Sequence, residues 1–220
     1  MTQKQFPPPG PDEKRWTDVS RRTFLKGAGA TIAAVGVGGA AGLATGQDSV
    51  PAPSLVGPGK TRVTLNLNGA PTTIEIEPWQ TLLDTLRDHV GLTGAKRVCD
   101  RGSCGGCTVL VDGLPMNACS LLTIDVDARV IRTVEGIANG ETLSAVQQAF
   151  VECDAAQCGF CTPGMIVACT ALLARNPHPS RAEIAEGIAG NLCRCGTYQN
   201  IFEAVERAAA KTQGGRSATL

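Results

Sequence analysis

Ten cysteines are the residues of this chain with the most chemistry to offer, and their spacing is uneven. Cys99, Cys104 and Cys107 fall in the run Cys-Asp-Arg-Gly-Ser-Cys-Gly-Gly-Cys, and Cys119 follows after 11 intervening residues. C-x4-C-x2-C is the ligand spacing of plant-type [2Fe–2S] centres. A cluster held by four thiolates is negative in both redox states, so backbone N–H groups must turn toward its sulfurs. Gly102, Gly105 and Gly106 give the main chain that freedom, including positive φ where a close turn needs it. Structural disulfides would gain nothing from such a density of glycine. Zinc would more often show two C-x2-C pairs. The spacing predicts a [2Fe–2S] site on Cys99, Cys104, Cys107 and Cys119.

Two further pairs, Cys158-Gly-Phe-Cys161 and Cys193-Arg-Cys195, are separated by 31 residues. Thr162-Pro163-Gly164 marks a helix start directly after the first pair, with proline in the first turn. A helix N-terminus there favours a negatively charged group. If Cys193–Cys195 is extended, both sulfurs face one side and Arg194 faces the other. A thioredoxin-like C-x-x-C is the rival reading, although it leaves the C-x-C pair without a role and lacks a βαβ context. No C-x-x-C-H occurs, so no covalent c-type haem is expected. Cys153 and Cys169 lie outside these spacings and read as structural; Cys169 suits a small core position, and the exposure of Cys153 is open. His89 and His178 stand alone and read as surface residues.

Elements that could position these residues follow from periodicity. Arg62 to Leu67 alternates, Asn68-Gly69 is a hairpin turn, and Thr73 to Ile76 alternates again. Thr81 and Asp84 form a capping-box start, with Leu82, Leu83, Leu86 and Val90 on one helical face. Thr108–Val111 and Ala128–Thr133 read as further strands, with Asp112-Gly113 ending the first of them. Beyond residue 140 the pattern becomes helical. Leu143, Val146 and Phe150 share a face, and Met165 to Ala174 is an apolar helix. Ser180 and Glu183 form a capping box before Ile184, Ile188 and Leu192. Ile201, Phe202, Val205 and Ala209 mark a fourth helix. The expectation is an α+β chain whose second part is a small four-helix bundle.

Ahead of residue 60 the character differs. Residues 1–19 are polar and proline-rich. Ser20-Arg21-Arg22-Thr23-Phe24-Leu25-Lys26 then leads into a Gly/Ala-rich apolar run from Gly27 to about Thr45. This resembles a twin-arginine export signal, and the run is too short and glycine-rich to be a good membrane span. Pro51, Pro53 and Pro58 mark a linker. That route carries folded proteins, so thiolates can be locked onto iron before they meet an oxidising compartment. The formal charge is zero, with 20 Lys+Arg against 20 Asp+Glu, and no long basic block follows residue 60. Nucleic-acid and anionic-membrane binding therefore have little support, and no stable membrane insertion is expected.

Taken together, four stretches closely resemble the small iron–sulfur subunit of the xanthine dehydrogenase/aldehyde oxidoreductase family. They are Cys99 to Val109, Asn117-Ala-Cys119, Gln157-Cys-Gly-Phe-Cys-Thr-Pro-Gly-Met165, and Gly190-Asn-Leu-Cys-Arg-Cys-Gly-Thr-Tyr198. The resemblance runs from about Val63 to Ala209 and is most like the periplasmic aldehyde oxidoreductases. A plant ferredoxin places its fourth cysteine much further along and has no helical domain. The likeness implies a β-grasp, plant-ferredoxin-like domain over 60–135 and an all-α [2Fe–2S] domain over 140–212. A signal and linker over 1–59 and a tail over 213–220 flank them. It further implies that Cys158, Cys161, Cys193 and Cys195 hold a second [2Fe–2S] cluster, and that Gln157 contacts a pterin across an interface. A large subunit would carry molybdopterin dinucleotide and oxidise an aldehyde or N-heterocycle. Electrons would leave to an FAD-binding subunit or a cytochrome. No catalytic acid, base or nucleophile stands out in this chain, and no Gly-rich phosphate fingerprint, so substrate conversion and flavin are expected elsewhere. A free-standing periplasmic two-cluster ferredoxin is the alternative.

Overall fold

The structure is a computed structural model, and it describes residues 57–212. The expected export signal and the tail beyond 212 lie outside the described residues.

The chain opens with a hairpin of β1 (Thr61–Leu67) and β2 (Ala70–Ile76). Asn68 and Gly69 take φ of 51° and 88°, the two left-handed positions that a tight two-residue hairpin requires. Val63, Leu65 and Leu67 are buried while their neighbours face out, as the alternation requires. Next comes α1 (Leu82–Asp84), continued by a wider turn of helix over Thr85–His89. The Thr81 hydroxyl accepts from the Asp84 N–H, and the Asp84 carboxylate accepts from the Thr81 N–H. Strands β3 (Thr108–Val111), β4 (Leu114–Asn117) and β5 (Val130–Arg132) complete a five-stranded sheet in the order β2-β1-β5-β3-β4. β5 runs parallel to β1 and antiparallel to β3. The mixed sheet with a helix across one face is β-grasp-like. Leu82, Leu83 and Leu86 close its core against Leu65, Ile76, Val109 and Ile131.

Four helices follow: α2 (Ala145–Glu152), α3 (Thr162–Arg175), α4 (Arg181–Gly187) and α5 (Tyr198–Thr212). Their core joins Val146, Phe150, Met165, Cys169, Ile184, Ile201 and Val205, so the chain is α+β with the helical part second. Serine caps with complete capping boxes start α2 (Ser144, Gln147) and α4 (Ser180, Glu183). Two residues expected on buried helical faces are exposed instead. Leu143 precedes α2, and Leu192 lies beyond the end of α4 at Gly187.

Sheet and bundle pack directly on each other. All four residues of β3 are buried, because Val109 and Val111 face the sheet core while Leu110 packs on Val167 and Ala171 of α3. A strand covered on both faces loses the alternation that marks a half-exposed one.

Candidate metal centres

Cys99, Cys104 and Cys107 sit on the loop between α1 and β3, which closes on itself where Lys96 N–H donates to the Gly106 carbonyl at 2.9 Å. Asp100, Gly102 and Gly105 all have positive φ, at 53°, 71° and 68°. The β3–β4 hairpin then returns the chain so that Ala118 N–H reaches the Cys107 carbonyl at 3.3 Å, which brings Cys119 alongside Cys107. Asn117 Nδ2 donates to the Gly102 carbonyl at 3.0 Å and ties the loop to the end of β4.

Backbone N–H groups point at sulfur throughout this loop. Gly102 donates to Cys119 Sγ at 3.2 Å, Ser103 to Cys99 Sγ at 3.4 Å and Gly106 to Cys104 Sγ at 3.5 Å. The Arg101 N–H is the main influence lowering the Cys99 thiol to about 7, with the Cys104 thiol also bonded to it. Burial pushes Cys107 up to about 12, with the Cys119 thiol beside it. The four thiols thus neighbour one another, Cys99 beside Cys104 and Cys107 beside both Cys119 and Cys104.

The second group assembles from distant segments. Cys158 and Cys161 precede α3, and Thr162 and Pro163 occupy its first turn. Cys193 lies on the stretch after α4, anchored where its N–H donates to Tyr198 Oη at 2.8 Å. The segment is not extended, because Arg194 and Cys195 form a turn. Cys158 and Cys195 are exposed while Cys193 is buried. The thiols again neighbour one another, Cys158 beside Cys195 and Cys161 beside Cys193. Burial pushes Cys161 up to about 12, and the Cys193 thiol adds to the rise. Burial also opposes the Cys193 thiolate. The Thr197 hydroxyl, 3.2 Å away, and the Thr197 N–H outweigh it and hold that thiol at about 7.

Among the described residues no three His, Cys, Asp or Glu side chains converge as ligands of a single metal ion. Two thiols for each of two irons is what a [2Fe–2S] cluster requires, and each group offers four thiols. Two other features fit a bound anionic cluster. Amides crowd the first site, and the Thr162 hydroxyl next to Cys161 is buried without a hydrogen-bond partner. Gln157 is exposed, directly before Cys158. Cys153 and Cys169 are both buried in the helical core, against which Cys161 and Cys193 also pack. His89 is exposed and hydrogen-bonds Gln80; His178 is exposed.

Sequence reasoning missed Asn191, which is buried at the junction of the two groups. Its one available signal was position, as a polar residue directly between Gly190 and the Leu192-Cys193 step.

Comparison with known proteins gives a consistent picture. The family described as the 2Fe-2S iron-sulfur cluster binding domain matches residues 65–129, and the [2Fe-2S] binding domain family matches residues 133–206. The twin-arginine translocation pathway signal family matches residues 18–38, which marks the chain for export by that route. No helix among the described residues is long and apolar enough to cross a membrane. The nicotinate dehydrogenase small FeS subunit of Eubacterium barkeri is 46% identical over 149 residues, covering 68% of this chain and 95% of the relative. The aldehyde oxidoreductase iron-sulfur-binding subunit PaoA of Escherichia coli strain K12 is 37% identical over 218 residues, covering 92% and 93%. Among solved structures, quinoline 2-oxidoreductase from Pseudomonas putida 86 aligns with a TM-score of 0.68 at 44% identity, over 72% of this chain and 99% of the matched one. The aldehyde oxidoreductase of Desulfovibrio gigas aligns with a TM-score of 0.68 at 37% identity. That match takes in 71% of this chain and 18% of the other.

Proposed function

The chain belongs to the xanthine dehydrogenase/aldehyde oxidoreductase family as a small iron–sulfur subunit, and we propose that it relays electrons from a large molybdopterin-binding subunit to a separate acceptor. In this reading Cys99, Cys104, Cys107 and Cys119 hold one [2Fe–2S] cluster, and Cys158, Cys161, Cys193 and Cys195 hold the other. A bound [2Fe–2S] cluster supplies reversible one-electron storage.

The observation that carries this reading is that eight thiols gather into two groups within one packed body, the first on a loop whose Gly102, Ser103 and Gly106 amides point at its sulfurs and the second around Cys193, which Thr197 and Tyr198 anchor. The chain's own residues do the rest. Amides of Gly102, Ser103 and Gly106 hold negative charge on the first sulfurs, and the start of α3 does so at the second group. Exposed Phe160, Val98 and Leu192 surround a pocket of about 90 Å³ that reaches Cys104, Cys158 and Cys161. Such apolar cover suits burial under a partner subunit. Exposed Gln157 is then the residue of this chain that meets the pterin of the large subunit. The acceptor is a flavoprotein or a cytochrome.

Iron analysis with electron paramagnetic resonance tests this on the chain as purified with its partners. Two distinct reduced [2Fe–2S] signals are expected, together with a molybdenum-containing large chain. Cys104→Ser should remove one signal and leave the helical-domain signal. Absence of two signals, or a fully active chain purified alone as a monomer, would overturn the proposal.

A further inference from the structure

The two cysteine groups meet at one seam, and Asn191 is the buried polar residue in it. The residue is 6% exposed. Its Nδ2 donates to the Gly105 carbonyl at 2.9 Å and to Thr108 Oγ1 at 3.0 Å. The Thr108 hydroxyl donates to the same Gly105 carbonyl at 2.7 Å. One residue further on, Leu192 N–H donates to the Cys104 carbonyl at 2.9 Å. The loop that carries Cys104 and Cys107 is therefore bonded, through both backbone and side chain, to the stretch that runs into Cys193.

The contact leaves no room for a larger residue. A methyl group added at Gly105 would collide with the Gly190 carbonyl and the Asn191 amide. One added at Gly164, in the first turn of α3, would collide with the Gly105 carbonyl. Three segments thus touch backbone to backbone: the first loop, the start of α3 just after Cys161, and the approach to Cys193. A primary amide offers two N–H donors on one nitrogen, and both are used here. Leucine would match the volume without a donor. Aspartate would match the shape and set a carboxylate against the Gly105 carbonyl.

We propose that Asn191 is a positioning residue that locks the Cys99–Cys107 loop to the approach to Cys193, and so fixes the separation and orientation of the two metal sites. The proposal rests on the reading that both sites hold clusters. Electron exchange between two redox centres depends on that geometry. Leu110, Val167 and Ala171 hold the sheet and bundle together independently of this lock. Losing the lock therefore leaves the domains docked and loosens only the seam between the sites.

The test uses the full chain in its assembled complex, reduced chemically and examined by electron paramagnetic resonance at low temperature. Two nearby paramagnets split or broaden each other's signals, and the effect reports their separation and relative orientation. In Asn191→Leu and Asn191→Asp, both [2Fe–2S] signals and the iron content should persist while the mutual splitting changes in size and broadens. Thr108→Val removes one acceptor of the lock and should change the splitting by a smaller amount. An unchanged splitting in the cluster-loaded Asn191 variants overturns the proposal, as do two wild-type signals with no interaction. Should the Asn191 variants fail to retain iron, Thr108→Val decides, and an unchanged splitting there overturns it. A wild-type complex with fewer than two signals overturns the functional reading instead, which keeps the two failures distinct.

Discussion

The two cysteine groups offer the same set of thiols but are built in opposite ways. Cys99, Cys104, Cys107 and Cys119 belong to one loop and the hairpin that follows it, and three left-handed residues shape that loop around its sulfurs. Cys158, Cys161, Cys193 and Cys195 come from segments with α3 and α4 between them, and meet only because the bundle folds. The first group depends on backbone conformation. The second depends on helix packing, with Thr197 and Tyr198 at the start of α5 setting Cys193. A local site of this kind carries its signature in spacing. A tertiary one does not.

Core truncation should separate the two most sharply. Ile201→Ala opens a cavity in the fully buried bundle core, and Leu65→Ala does so in the sheet core. Each should cost about 3 kcal/mol. On warming, Ile201→Ala should lose the helical-domain iron signal first, and Leu65→Ala the loop signal first. If both variants lose both signals at one temperature, the two groups share a single cooperative unit and the contrast fails.

Glycine replacement comes next in size. Gly105 and Gly159 both have positive φ, at 68° and 81°. Gly159 has open space around its missing side chain, whereas Gly105 faces Gly190 and Asn191. Gly159→Ala should cost only the left-handed strain, roughly 1 kcal/mol. Gly105→Ala adds overpacking and should cost about 3 kcal/mol in all, read from urea unfolding midpoints. Equal costs would mean that the seam yields easily.

Much of the fold could be read in advance for physical reasons that show in the same residues. Val63, Leu65 and Leu67 alternate because β1 has one buried face, and Asn68-Gly69 supplies both left-handed positions of its turn. Thr81 with Asp84 and Ser180 with Glu183 are local capping boxes, so a few residues of sequence suffice to find them. Ser144 with Gln147 carries the same signature at the start of α2. β3 hides its face because α3 covers it, and β4 tolerates Pro115 because it is an edge strand with few ladder bonds to lose. Leu143 and Leu192 fit a helical period but lie beyond the ends of α2 and α4. Among the site residues, the loop cysteines were legible from spacing. The joining of the helical-domain pairs was legible only through family likeness, since 31 residues separate them. Asn191 stands inside a stretch that carries the resemblance, but its role was not legible because its partners, Gly105 and Thr108, lie more than 80 residues away in sequence.

Helix caps give a smaller test of the same contrast. Ser144→Ala and Ser180→Ala should each cost about 1 kcal/mol by leaving first-turn N–H groups unsatisfied. Because α2 and α4 both feed the bundle core, either change should lower the unfolding midpoint of the helical part and spare the loop signal. Loss of the loop signal instead would tie that site to the bundle more closely than the cores suggest.

The smallest effect lies on the loop side and depends on pH. Asp84 receives bonds from Thr81 and from Arg97, which also bridges to Asp88 and stands two residues before Cys99. Partial burial raises the Asp84 pKa, but the Thr81 and Arg97 bonds outweigh it and hold the carboxyl below its ordinary value of 3.8. A carboxyl depressed by folding contributes stability that is present above the unfolded value and lost as pH falls through the folded one. The wild-type chain should therefore lose stability as pH falls below about 4, within the carboxylate range. Asp84→Asn keeps the shape and removes the titration, so it should be less stable than wild type at neutral pH by under about 1 kcal/mol. The two should converge in acid, as urea midpoints measured across that range would show. Parallel curves for the two proteins would mean that the Thr81–Asp84–Arg97 cluster does not contribute to holding the loop's approach in place. The acid sensitivity of that site would then have to come from elsewhere in the sheet domain.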